Sequence, residues 1–141
     1  MANSAGICTS FKVEILGATH NLNNGGHSLK MALYLTSATV TPATTAYSST
    51  NEVTSANYTA GGAAVTNVAV SSSGTTAIWT PGANITWTTV TFTTDCAFLY
   101  NTSAANKSIA VFTFGSQTVS AGNFTLTMPT NDASNALIRI A

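Results

Sequence analysis

The chain has 141 residues, 45% hydrophobic, 9% aromatic and only 6% charged, with a formal net charge of zero at pH 7. That apolar content excludes disorder, whose signature is low hydrophobicity with high net charge, and the neutral balance offers no attraction to nucleic-acid phosphates or an anionic bilayer. The length is that of a single domain, residues 1–141, able to bury roughly 68–70% of its unfolded surface.

The charges are Lys12, Lys30, Lys107 and Arg139 against Glu14, Glu52, Asp95 and Asp132. A soluble domain ordinarily carries about a quarter or more charged residues on its surface. Here Thr, Ser, Asn, Ala and Gly take their place, the composition of a chain that packs against neighbours. No apolar run approaches the roughly 18 residues of a membrane span. Residues 1–9 hold neither a basic segment nor an apolar stretch of a secretory signal, so synthesis in a cytosol followed by docking is expected.

Residues 10–17 predict a short helix: Thr9 or Ser10 can cap it, Glu14 can close a capping box, and Gly17 can end it. Residues 20–27, HNLNNGGH, follow as a loop punctuated by paired Asn and paired Gly. Residues 29–35 alternate strictly, with Leu29, Met31, Leu33 and Leu35 on one face, which predicts a half-buried strand. Residues 36–57 show no period and exceed the usual loop length. Such a segment is expected either to pack against a neighbouring subunit or to wrap its own domain as an ordered Ω-type loop.

Residues 58–62 make a turn whose Gly61-Gly62 pair needs positive φ, leading into strands over 63–71 and 75–79 with Gly74 between them. Pro81-Gly82 turns into strands over 85–93 and 96–101, separated near Thr94-Asp95. Another strand covers 108–114 and is closed by Gly115. The segment 123–128 alternates Phe124, Leu126 and Met128 with polar residues until Pro129, and 136–140 is the last strand. Seven or eight short strands with one weak helix predict an all-β fold, a single antiparallel β-sandwich, jelly-roll-like, with a short N-terminal helix. Its edges lack the charges that block edge-to-edge pairing, so association is expected unless they are short or occupied.

No set of catalytic, cofactor-binding or metal-ligating residues emerges, and the expectation is a protein that is not an enzyme and has no cofactor. A hydrolytic triad needs a base oriented by a carboxylate, yet His20 and His27 flank an Asn/Gly loop and read as exposed, and no G-x-S-x-G elbow occurs. Two histidines without an acidic neighbour make a poor metal set, and four scattered acids do not pair as in a glycosidase. Glu52 and Asp132 read as loop or turn residues making local hydrogen bonds. Cys8 and Cys96 lack zinc or redox spacing; free buried thiols are the plain reading, and a disulfide would require Cα atoms within about 7 Å. The sequons at Asn57, Asn84, Asn101 and Asn123 are those a chain rich in Asn and Thr holds by chance. Trp79, Trp87, Tyr34, Tyr47, Tyr58 and Tyr100 suit a core or interface better than a sugar platform.

Several stretches carry a family resemblance: FKVEILGATHN over 11–21, LKMALY over 29–34, TAYSSTNEV over 45–53, YTAGG over 58–62 and ALIRIA over 136–141. Together they resemble a family of small virion structural proteins of tailed bacteriophages, with the NEV and YTAGG spacing the most specific part. The chain departs from that pattern at Ser55-Ala56-Asn57, where a Gly is usual. The resemblance implies a non-enzymatic capsid cement or decoration protein on the virion surface, made in the host bacterial cytoplasm. Its implied partners are the major capsid protein, whose subunits it bridges, and itself as a homo-oligomer, with a trimer expected because such proteins sit on local three-fold axes. A tail- or fibre-associated component is the alternative, and a carbohydrate-binding module using the aromatics the more distant one.

Overall fold

The computed structural model describes residues 2–141, which form eight strands, one α-helix and one 3-10 turn among them. In chain order these are β1 (Gly6–Ile7), α1 (Thr9–Leu16), β2 (Leu29–Tyr34), β3 (Ala63–Ala64), β4 (Ser71–Ser73), β5 (Thr76–Trp79), β6 (Ile85–Asn101), the 3-10 turn (Thr102–Ala104), β7 (Lys107–Leu126) and β8 (Ile138–Ile140). All strand pairs are antiparallel, in a five-stranded sheet of order β1-β7-β6-β2-β3 and a three-stranded sheet of order β4-β5-β8. The expected all-β sandwich with one short helix is therefore the architecture of the chain.

Its spine is the β6–β7 hairpin, which pairs from Ile85 with Leu126 to Asn101 with Lys107. Thr-rich alternation over β6 favours extended backbone, and side-chain hydroxyls bond across the pair at Thr86 with Thr125 and Thr93 with Thr118, both 2.9 Å. The expected breaks at Thr94-Asp95 and Gly115 do not end strands. They are absorbed as bulges: from Thr94 to Cys96 the partner runs from Gln117 back to Thr113, with Gly115 at φ +74° between them. A second bulge lies between Val90 and Phe92, opposite Gly122 and Val119, with Ala121 at φ +48°. A bulge adds residues to one strand and twists it without ending the ladder.

Strand β2 departs from the half-buried expectation, since every residue but the half-buried Lys30 is buried. It is an inner strand between β6 and β3, and residues 36–57 lie across it. Within the chain this long segment wraps its own domain. Tyr47 N–H bonds Asn106 O and Ser108 N–H bonds Thr45 O at the start of β7, while Leu35 N–H bonds Asn51 O and Val53 N–H bonds Leu33 O at the edge of β2. The segment so reaches from the start of β7 to the end of β2, with Tyr47 stacked on Tyr100 of β6 at 4.6 Å in between.

The turn closing this belt demands glycine. Gly62 has φ +78°, and a Cβ there would lie 1.9 Å from the Met31 carbonyl oxygen, so backbone packs directly on backbone. The predicted strand over 63–71 survives only at its two ends, as β3 and the start of β4. Helix α1 begins at Thr9 without side-chain capping. Ser10 Oγ meets Ser108 Oγ instead, and the Glu14 carboxylate, expected in a capping box, turns away to Lys107 and His20. The core joins both sheets, with Trp79 and Ile138 of the small sheet clustered with Phe11, Leu22, Met31, Leu33 and Leu99.

Candidate interaction surface

Most of the few charges are bonded within the chain. Glu14 pairs with Lys107 at 2.8 Å and His20 at 2.6 Å. Asp95 accepts from Asn3 Nδ2, Asp132 accepts from the Ser134 and Asn135 amides within its turn, and Arg139 Nη1 donates to Ser134 O. Glu52 is 5% exposed and accepts from Tyr47 Oη at 2.6 Å, Tyr58 Oη at 2.7 Å and the Gly61 amide at 2.7 Å. Six of the eight charged side chains are thereby bonded within the chain, although Lys12 and Arg139 stay exposed. Burial opposes ionisation of Glu14, yet hydrogen bonds from Lys107 and His20 hold its carboxyl below the usual range. Asp132 is lowered by the Asn135 side chain and the turn amides.

Two apolar openings interrupt this surface. One, of about 390 Å³, is floored by Met31 and Ala97 and walled by Phe114, Phe124, Leu126 and Met128. None of the residues around it is charged. Phe112, Phe114, Phe124, Leu126, Met128 and Leu137 are only partly buried there. The aromatic wall is held firmly from behind: Phe124 lies 5.5 Å from Phe92, 6.2 Å from Trp87 and 5.8 Å from Phe114, centroid to centroid. A second opening of about 250 Å³ lies between α1 and the small sheet, near the exposed Val70 and Ile140. On α1 itself Val13 and Leu16 are 67% and 89% exposed.

Comparison with family models, curated proteins and solved structures returned no match. The surface must therefore be read from its own chemistry.

The strand edges do less than their lack of charge predicts. Beyond Val111 the outer edge of β7 has no strand partner among the described residues, and from Phe112 to Leu126 it carries no charge. Its two bulges, however, break the regular array of N–H and C=O groups that an incoming strand would need, which is a known way of guarding an edge. The outer edge of β6 is covered as well, by Ser55 Oγ accepting from the Thr91 amide and Asn57 Nδ2 donating to Thr89 O. Contact through the apolar face is thus favoured over strand addition.

The residues weighed in the sequence fall as follows. His20 is no exposed loop residue: its side chain is fully buried between Glu14 and Asn101. His27 also bonds Asn101. Local sequence cannot show this, because Asn101 is more than seventy positions away in the chain. Trp79 and Trp87 are 2% and 6% exposed and form no sugar platform. Cys8 and Cys96 are free and buried; burial, reinforced by Asp95, pushes the Cys96 thiol up to about 12, and burial also raises Cys8. Thiols so held are poor nucleophiles. The groove was missed as a site, although the alternation of Phe112 with Phe114 and of Phe124 with Leu126 and Met128 carried its signal. A second sheet would cover such a face completely, whereas the three-stranded sheet here is too small to do so.

Proposed function

We propose that this chain is a non-enzymatic structural component of a tailed-bacteriophage virion, a cement or decoration protein whose copies form a trimer and bridge major capsid protein subunits on the capsid surface. The observation that carries the reading is the uncharged, half-open groove on the face of β6 and β7. Contiguous exposed apolar surface on a soluble domain marks an interaction site, and a neutral rim excludes a partner chosen by charge. The small number of charges, balanced to a net charge of zero, supports the same reading, because it leaves little electrostatic repulsion between copies packed on a lattice. The stretches that resemble small virion proteins supply the class of particle. Many symmetric copies, each bound only to the assembled shell, stabilise that shell by mass action even when single contacts are weak.

The test is incorporation. Phe114→Ser and Met128→Ser alter the groove wall while leaving the buried core in place, and each is expected to reduce the number of copies retained on purified particles about tenfold, the effect of losing one well-packed apolar anchor. Unchanged retention of both variants would overturn the reading.

A further inference from the structure

The large sheet, the helix and the small sheet meet at residues 18–28. We propose that this segment is a proton-sensitive joint between the two sheets, held closed by the neutral imidazoles of His20 and His27 on the amide of Asn101.

The argument rests on donor counting. Asn101 is fully buried at the end of β6, and its Nδ2 lies 3.0 Å from His20 Nδ1 and 2.9 Å from His27 Nδ1. A side-chain amide has two N–H donors, and here each meets one imidazole. Both rings must accept at Nδ1, so each neutral ring carries its proton on Nε2. That of His20 donates to Glu14 Oε2 at 2.6 Å. Nor can the amide turn over to suit a protonated ring, because its Oδ1 accepts from the Ser103 N–H at 3.0 Å. A proton added to either Nδ1 sets donor against donor at the fully buried Asn101 amide, and a polar conflict of that kind breaks the contact.

No surrounding carboxylate accepts the proton added at Nδ1: Glu14 from α1 attracts a charged His20 but meets its ring at Nε2, and its other oxygen is paired with Lys107 of β7 at 2.8 Å. His27 has no carboxylate bonded to it among the described residues. The β6 side contributes Asn101, the 3-10 turn contributes Ser103, the small sheet contributes the Trp79 indole, and Cys8 ahead of α1 is kept neutral by burial.

What the joint holds is the seating of the small sheet. Trp79 Nε1–H of β5 donates to Leu22 O at 3.0 Å, and the Val70 amide ahead of β4 donates to Asn23 Oδ1 at 3.0 Å. Asn67 Nδ2 donates to His27 O at 2.8 Å. On the other side the Thr102 amide donates to Ser28 O at 2.9 Å. Thr102 Oγ1 also donates to Ser28 O and the Ser28 amide donates to Ser103 Oγ, so releasing the imidazoles loosens residues 20–27 from the large sheet while Ser28 stays tied to the 3-10 turn.

Hydrogen exchange on the full chain at pH 7.5 and 5.5, corrected for the intrinsic pH dependence, reads the joint. On acidification the amides of residues 21–27 are expected to lose about tenfold more protection than those of β6. Asn101→Asp supplies acceptor oxygens to protonated rings and still accepts from Ser103, so in that variant the loss should disappear. Nitrogen-15 shifts of the imidazoles in the unaltered chain test the same geometry without a substitution, and should show the Nε2–H tautomer for both rings at pH 7.5. Equal protection at the two pH values, or an Nδ1–H tautomer on either ring, would overturn the proposal.

Discussion

Gly62 and Glu52 decide whether the long belt can sit on the sheet. A methyl group at Gly62 meets the Met31 carbonyl in a left-handed backbone conformation, so Gly62→Ala combines strain with a clash that neither chain can relieve locally. A loss of about 3 kcal/mol or more is expected by chemical denaturation, the sum of a strained φ and an overpacked contact; a loss below 1 kcal/mol would show that the turn can move. Glu52 gathers donors from Tyr47, Tyr58 and Gly61. Glu52→Gln turns an N–H group toward one of those donors and should cost about 1–3 kcal/mol, together with loss of near-ultraviolet circular dichroism from the stacked Tyr47 and Tyr100. The need for glycine was legible in the YTAGG turn. The burial of Glu52 was not, because its hydroxyl donors, Tyr47 on the segment without period and Tyr58 in the turn that follows, converge only when that segment crosses the sheet.

Among the elements, the strands with strict alternation were read correctly in kind and wrongly in extent. Thr94-Asp95 and Gly115 look like punctuation in a linear sequence, yet Thr94 Oγ1 donates to Tyr34 O at 2.7 Å and is fully buried, so the strand continues through it. A residue that breaks a ladder and one that bulges it have the same local signature, and only the partner strand distinguishes them. The bulge at Ala121 offers a direct check. From Gly122 to Val119 is three steps against two on β6, an excess offset by the three β6 steps from Trp87 to Val90 against two on β7, so deleting Ala121 removes this bulge from the outer edge of β7 and leaves that of β6 unmatched. Light scattering is expected to show concentration-dependent aggregation of the deletion variant at neutral pH. A variant as soluble as the parent would mean that the bulge does not guard the edge.

For the whole molecule, acid response follows from Glu14. Its carboxyl is held below the value it has in the unfolded chain, so on acidification the unfolded state binds the proton first. The stabilisation is complete above the unfolded value of about 4.3 and is lost as pH falls from there through the folded value. Unfolding free energies between pH 5 and 3 should fall more steeply for the parent chain than for Glu14→Gln; identical slopes would contradict the assignment. Association obeys a different rule. The groove has no charged residue around it, so retention on particles should change little between low and moderate ionic strength, since screening acts on exposed charges. A steep loss with added salt would point to contact elsewhere.

That the chain is an all-β sandwich was legible because period-two alternation is a property of each strand alone. Where it touches other molecules was less so: the composition announced a neutral surface, but the place where that surface opens depends on how far a three-stranded sheet covers a five-stranded one. The central claim concerns the particle. Electron cryomicroscopy of purified virions carrying this chain with a C-terminal label tests it most directly. Density is expected at regular positions on the capsid shell, in clusters of three, with the β6–β7 face against the neighbouring protein. Label confined to the tail, or particles from which the chain is absent, would contradict it.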